Sequence, residues 1–350
     1  MRKYFFRSMT LLAVLLVQGG CSEPPKQSSV ATELETAQVW PEPPAPARIR
    51  YVRSVVSPSD WGIKQNFLGQ AFDMLTGKTP VHFVRPTGVV ERDGVLYVAD
   101  PGAPGLFLYD AKQERASQFG SVGDEALVSP VALALGPADT LFLVDSWQKN
   151  VYVLNRNGEL RRLFAHEGLQ RPSAVAFDAA GERVYVADSM AHHVLAYGLD
   201  GRLLQTIGSN GTADGEFNSP THLAVERDGT LLVTDALNFR VQAFDRSGHF
   251  LWKIGKAGDG GGDFAAPKGV AADSEGQVLV VDALFDALQI FKPDGSLLLG
   301  FGGEGRRAGQ FWLPNGLFID PLDAVYVADS YNRRIQIFQR IAAPNQEAAK

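Results

Sequence analysis

The chain has 350 residues, 45% of them hydrophobic and 21% charged, with one cysteine, Cys21, and a formal net charge of -6. This is the balance of a globular protein with a sizeable core rather than a disordered one. A disulfide framework and haem attachment through a CxxCH motif are excluded, and the acidic balance argues against nucleic acid, whose phosphates are bound by Lys and Arg.

In chain order, Arg2, Lys3 and Arg7 form a basic start, Met9 to Val17 is an apolar run, and Gly19 and Gly20 stand just before Cys21. The run is too short for a hydrocarbon core of ~30 Å, which takes about 20 residues, so residues 1–20 read as an export signal. Small residues followed by a unique cysteine resemble the lipobox of bacterial lipoproteins. The resemblance implies that Cys21 becomes the lipidated N-terminus. It also implies, from Ser22 where aspartate would signal retention, an outer-membrane location facing the periplasm. The other reading is an ordinary secretory signal followed by an incidental free thiol. Loss of residues 1–20 removes three basic residues and no acidic one, leaving 30 basic against 39 acidic residues and a formal charge of -9.

Residues 21–47 read as a tether, since the stretch 22–47 holds six prolines and no sustained period. Such a coil of 26 residues reaches on the order of 30 Å. Trp40 within it is expected to dock on the domain or to meet a partner. From 48 to 340 a single domain is expected, followed by a tail at 341–350. Residues 64–76 are read as a short helix packing on the end of the domain, with membrane or partner contact as the alternative.

Six stretches then align without a gap, among them VYVADSMAHHVLAY (184–197), LLVTDALNFRVQAF (231–244) and VYVADSYNRRIQIF (325–338). Their aspartates Asp100, Asp145, Asp188, Asp235, Asp282 and Asp329 lie 45, 43, 47, 47 and 47 residues apart. A period in the forties with several short strands per unit predicts propeller blades. Blade openings are expected at Pro86, Pro130, Pro172, Pro220, Pro267 and Pro314. The last unit lacks a fourth strand, and RIRYVRSV (48–55) has no blade of its own, so an open edge is avoided if 48–55 completes blade 6. The expected fold is therefore all-β: a six-bladed propeller of four-stranded blades, closed by an N-terminal strand completing the last blade.

Three linkers share G-x-x-G-x-x-x-G-x-F-x-x-P, at 207–220, 254–267 and 301–314. A phosphate cradle needs a following helix N-terminus, which no copy has. The glycines are read instead as turns, and Phe217, Phe264 and Phe311 as wedges between sheets. The proline-opened strand, V-x-D, polar loop and glycine linker together resemble the NHL-repeat family of six-bladed β-propellers over residues 85–339, with blades 1 and 2 the most divergent. The strand-end aspartates are expected to bind turn amides.

Propeller enzymes that resemble this architecture hold a metal at the channel mouth, peptidyl-hydroxyglycine lyases through histidines and gluconolactonases through asparagine and acids. The corresponding positions here are Thr87, Val131, Ser173, Thr221, Lys268 and Asn315. Only Asn315 matches a family motif, so no catalytic residue, metal or cofactor is assigned. His222, one residue on, is expected to face away from the channel by strand alternation. The candidate binding surface is the rim of loops between strands two and three: Trp147, Lys149, His192, Asn238, Phe239, Phe285, Tyr331, Arg333 and Arg334, with Trp312 from a linker and Met190 nearby. Aromatics and Arg there suit a binding hot spot, although each could pack between blades instead. The first functional reading is a non-catalytic scaffold binding an envelope protein or small ligand, attached to the membrane through its N-terminal lipid. The alternative is a metal-dependent hydrolase, lactonase-like or lyase-like enzyme.

Overall fold

A computed structural model of the protein describes residues 38–64, 82–165 and 168–341. The expected signal, Cys21 and the first part of the tether lie outside the described residues, as does the expected helix at 64–76 except for Lys64.

Blades 1 to 5 are antiparallel four-stranded sheets with strands in chain order from one edge to the other. Blade 4 shows the plan: Pro220–Val225, Leu231–Asp235, Arg240–Phe244 and Phe250–Ile254. Its turns hold Gly229 and Gly248 at positive φ, where glycine carries no steric penalty. The first strands of neighbouring blades touch around the whole ring, including blade 6 against blade 1, and so line the central channel. The second and third strands are buried on both faces, which is why Val95–Asp100 and Leu231–Asp235 are continuous apolar runs ending in aspartate rather than alternating patterns. Six hydrophobic clusters follow, one at each blade interface.

The closing strand is where the sequence places it. Ile49–Val55 pairs antiparallel with Arg334–Arg340. Blade 6 differs from the expectation by one strand more: Val39–Trp40 pairs with Ile49 and Arg50 and makes it five-stranded. Residues 38–47, expected as part of the tether, therefore belong to the propeller. The reason is Trp40, whose ring stacks on Phe301 at 4.5 Å and meets the edge of Phe338 at 5.8 Å. The chain then turns through Pro58–Trp61, where Trp61 donates to the Gly94 carbonyl at 3.0 Å.

The three glycine linkers are architectural. Phe217, Phe264 and Phe311 are fully buried, and each forms the same parallel bridge, with Asn210, Ala257 and Glu304 respectively. Gly255, at φ 84, lies under the wedge: a Cβ there would come within 2.2 Å of the Phe264 ring.

Candidate functional site

Every strand-end aspartate is fully buried and occupied. The Asp100 carboxylate accepts from Gly102 and Ala103 in the turn after its strand, and from Val84 and Arg85 in the chain entering its blade. Asp145 does the same with Trp147, Gln148, Val128 and Ser129, and Asp282 with Leu284, Phe285, Ala265 and Ala266. The expected turn bonds are present at Asp100, Asp145, Asp188 and Asp282, whereas at Asp235 and Asp329 the side chains of Asn238 and Asn332 take the place of the turn amides. The second set, which ties each turn to the preceding linker, is not visible in a local motif. With their lone pairs spent on amides, or in Asp235 and Asp329 mostly on Asn, Arg and Gln side chains, these carboxylates hold the turn and linker rather than offering a ligand set.

In this turn the residue two after the aspartate points into solvent. In blades 2 to 6 this residue is Trp147, Met190, Leu237, Leu284 or Tyr331, with exposures from 45% for Tyr331 to 75% for Trp147. Five large apolar side chains at one register thus form a broken crown on the face where the blade turns and linkers lie. Blade 1 has Gly102 there, because a Cβ would sit 2.7 Å from Cβ of Arg85.

The expected rim divides accordingly. Trp147, Lys149, Trp312, Tyr331 and Arg333 are exposed, and Trp312 packs against Tyr331 at 5.5 Å. Asn238 instead donates to Asp235 and to the Gly211 carbonyl. Phe239 packs on the cluster between blades 4 and 5, and His192 accepts from the Ser219 amide at 3.1 Å. Phe285 is half-buried beside the exposed Leu284. Arg334 is a correction: it is only 9% exposed, and its guanidinium donates to Asp329 at 2.7 Å and to the carbonyls of Arg306, Arg307 and Gln310. It staples the linker to blade 6, as Arg240 does in blade 4, and faces no partner. Leu237 and Leu284 were missed because neither is aromatic or charged; the signal that finds them is their fixed offset from the aspartate.

At the channel mouth, two of the six expected positions are also architectural. Thr87 donates to the Val131 carbonyl of the next blade at 3.0 Å and Ser173 to the Pro220 carbonyl at 2.9 Å. Thr234 and Ser330 make the same stitch to Lys268 and Pro86. His222 overturns the alternation argument. The pairing of blade 4 shifts between Pro220 and His222, and such a bulge re-aims the following side chain. The imidazole therefore lies in the channel, with Nε2 3.0 Å from Oδ1 of Asn315 and Nδ1 3.2 Å from the Thr221 hydroxyl. Burial and the nearby Lys268 push its pKa down to about 3, so the ring is neutral. Burial lowers the pKa of Lys268 as well, with Asp282 opposing.

A cavity of about 470 Å³ opens beside these groups, lined among others by Arg85, Thr87, Lys268, Leu313, Asn315 and, from the crown, Leu284 and Tyr331. Among the described residues no carboxylate lines it. Among the described residues no three His, Cys, Asp or Glu side chains gather as a metal would require.

A family model described as a six-bladed β-propeller matches residues 226–297, and the NHL-repeat model matches residues 311–338. A search of curated proteins found no match. Among solved structures, a protein of unknown function from Bacteroides thetaiotaomicron superposes with a TM-score of 0.60 at 15% identity, over 74% of this chain and 70% of that one. An auxiliary nutrient binding protein from the same organism gives 0.56 at 18% identity, over 74% and 69%. Virginiamycin B lyase from Staphylococcus aureus gives 0.54 at 10% identity, over 74% and 96%. At such identities the likeness is one of fold, which binding proteins and enzymes share. With six blades closed into a ring and the repeat matched in the last of them, this chain is a six-bladed β-propeller carrying an NHL repeat at residues 311–338.

Proposed function

We propose that the protein is a non-catalytic binding propeller of the bacterial cell envelope, lipid-anchored through Cys21 at the outer membrane and facing the periplasm, whose crown receives an envelope protein. The observation that carries this reading is the single register of Trp147, Met190, Leu237, Leu284 and Tyr331, all exposed on one face. Five large apolar groups left largely in solvent at equivalent turns contribute little to the core of the fold, and Trp and Tyr, two of the five, are enriched among the anchors of protein interfaces. The basic start, apolar run and Cys21 supply the export and anchoring half of the reading.

A photo-crosslinking amino acid placed at position 147 in cells should give discrete adducts with an envelope protein. The same group at Leu322, 80% exposed in a turn at the opposite ends of the strands, should give none. Equal labelling from both positions overturns the crown as the recognition face. Cys21→Ser should release the protein from the outer-membrane fraction, and persistence there overturns the anchor. The metal-dependent hydrolase, lactonase or lyase reading asks for a set of carboxylates or imidazoles at the channel mouth, where the chain has Thr87, Val131, Ser173, Thr221, Lys268 and Asn315. One tightly held zinc or calcium ion per purified chain would turn the assignment towards it.

A further inference from the structure

We infer that the channel-mouth cavity is a binding site for a small organic anion, a carboxylate carried on an apolar body. The inference rests on the binding reading above and assigns it a ligand chemistry. At about 470 Å³ the cavity is within the range of small-molecule sites, roughly 300–1,000 Å³. Its charged lining among the described residues is Arg85 and Lys268, with no acidic side chain.

Lys268 is the recessed charge. No hydrogen bond or ion pair within the described residues involves its ammonium, and the carboxylate whose charge acts on it, Asp282, already accepts from the amides of Ala265, Ala266, Leu284 and Phe285. A withdrawn cation without a partner is costly, and an incoming carboxylate supplies the charge-assisted bond it lacks.

The second donor follows from His222. Oδ1 of Asn315 can only accept, so Nε2–H donates to it, and in the neutral ring Nδ1 is left to accept from the Thr221 hydroxyl. That fixes the amide of Asn315, which lines the cavity and whose Nδ2 has no acceptor among the described residues. One ammonium and one amide match one carboxylate. Leu284, Leu313 and Tyr331 complete the lining with apolar surface, two of them crown residues at the solvent edge. Another hollow, about 340 Å³ beside the linker at 255–263, has Lys256 and Asp263 in its lining, which pair with each other at 3.9 Å.

Octanoate and octan-1-ol titrated into the full mature protein, followed by amide NMR shifts, test this. Octanoate should give saturable shifts at Leu284, Asn315 and Tyr331. Octan-1-ol should bind about tenfold more weakly or worse, since a hydrogen bond to a charged group is worth roughly 1.5–3 kcal/mol. Lys268→Ala should weaken octanoate by the same factor, and Lys268→Arg should retain it. Equal affinity for the alcohol, unchanged binding by Lys268→Ala, or no saturable shift at about 1 mM overturns the inference. Trp147→Ser/Met190→Ser/Leu237→Ser leaves the cavity lining intact, so this variant should lose partner crosslinks and keep octanoate, while Lys268→Ala should do the reverse. Failure of the anion site and failure of the crown are thereby read separately.

Discussion

Blades 4 and 6 have the same turn and different outer walls. In blade 4, Arg240 pairs with Asp235 at 2.8 Å, while Asn238 and Gln242 donate to the same carboxylate oxygen and hold the linker carbonyls of Gly211 and Glu216. Blade 6 repeats this with Arg334, Asp329, Asn332 and Gln336 on the carbonyls of Gly305 and Gln310. The outer strand of blade 4, Phe250–Ile254, follows directly in the chain. That of blade 6, Ile49–Val55, comes from the other end of the sequence and is backed by Val39–Trp40. Turn chemistry is local and can be written into every repeat. Ring closure is non-local, carries the loop-closure entropy of nearly the whole domain, and here has additional aromatic surface.

The largest difference between the two blades should come from removing that wall. A chain lacking residues 38–55 loses the pairing along Arg334–Arg340 and exposes Phe338 and Ile335, both fully buried. It should aggregate or lose its cooperative thermal transition. Loss of 342–350 removes none of the described hydrogen bonds and should leave the midpoint unchanged. Equal midpoints for the two truncations would mean that the ring is closed by its remaining contacts.

Next in size are the guanidiniums. Arg240→Ala and Arg334→Ala each leave a carboxylate buried without its cation, a change that costs ~3–5 kcal/mol. If turn chemistry is local, chemical denaturation should give nearly the same loss in both. A markedly larger loss at Arg334 would show the turn of blade 6 coupled to the closing strand.

The contrast between local and non-local also explains what could be read in advance. Six prolines, six aspartates and the period specify the blades, and a missing fourth strand points to 48–55, because each is a pattern repeated or conspicuously incomplete. Trp40 gave no such pattern: two residues of strand amid prolines are recognised only once Phe301 and Phe338 stand opposite. Arg334 looks like a surface charge until the linker carbonyls around it are placed. His222 was assigned to the wrong face because alternation assumes an unbroken register, and the shift beside Pro220 is a property of the pair of strands rather than of the sequence of one.

Trp40 is the smaller test of closure. Its ring fills the space over Gly309, where a Cβ would lie 2.1 Å away, whereas the matching Gly215 of blade 4 has only Phe250 of its own outer strand at 4.0 Å. Phe250→Ala and Trp40→Ala should each cost about 2 kcal/mol, less than full-core truncations because both side chains are half-buried. Trp40→Ala should in addition raise hydrogen exchange along Ile49–Val55, and Phe250→Ala should leave that strand protected. Identical exchange in the two variants would remove Trp40 from the closing device.

The smallest effect concerns the one side-chain bond that spans the channel between these blades, His222 to Asn315. The folded pKa of His222 is pushed down to about 3 by burial and Lys268, while the unfolded chain takes up its proton near the ordinary value of about 6.5. Between those values the unfolded state binds more protons, so this contribution to stability is complete above pH 6.5 and is lost as pH falls towards 3. Glu226, at the far end of the same strand region, has the opposite sign: burial and Asp228 raise its pKa to about 7, so the folded state holds the extra proton and stability rises as pH falls from about 7 to its unfolded value near 4.5. The two slopes oppose each other in the wild-type protein and separate only in variants. Relative to His222→Gln, the wild type should lose up to about 1.4 kcal/mol for the first pH unit below 6.5, read as a falling difference in thermal midpoint. Relative to Glu226→Gln, it should gain over the same interval. A His222 ring proton signal that titrates near pH 6.5 in the folded protein would place the imidazole in water and break the link between the blades.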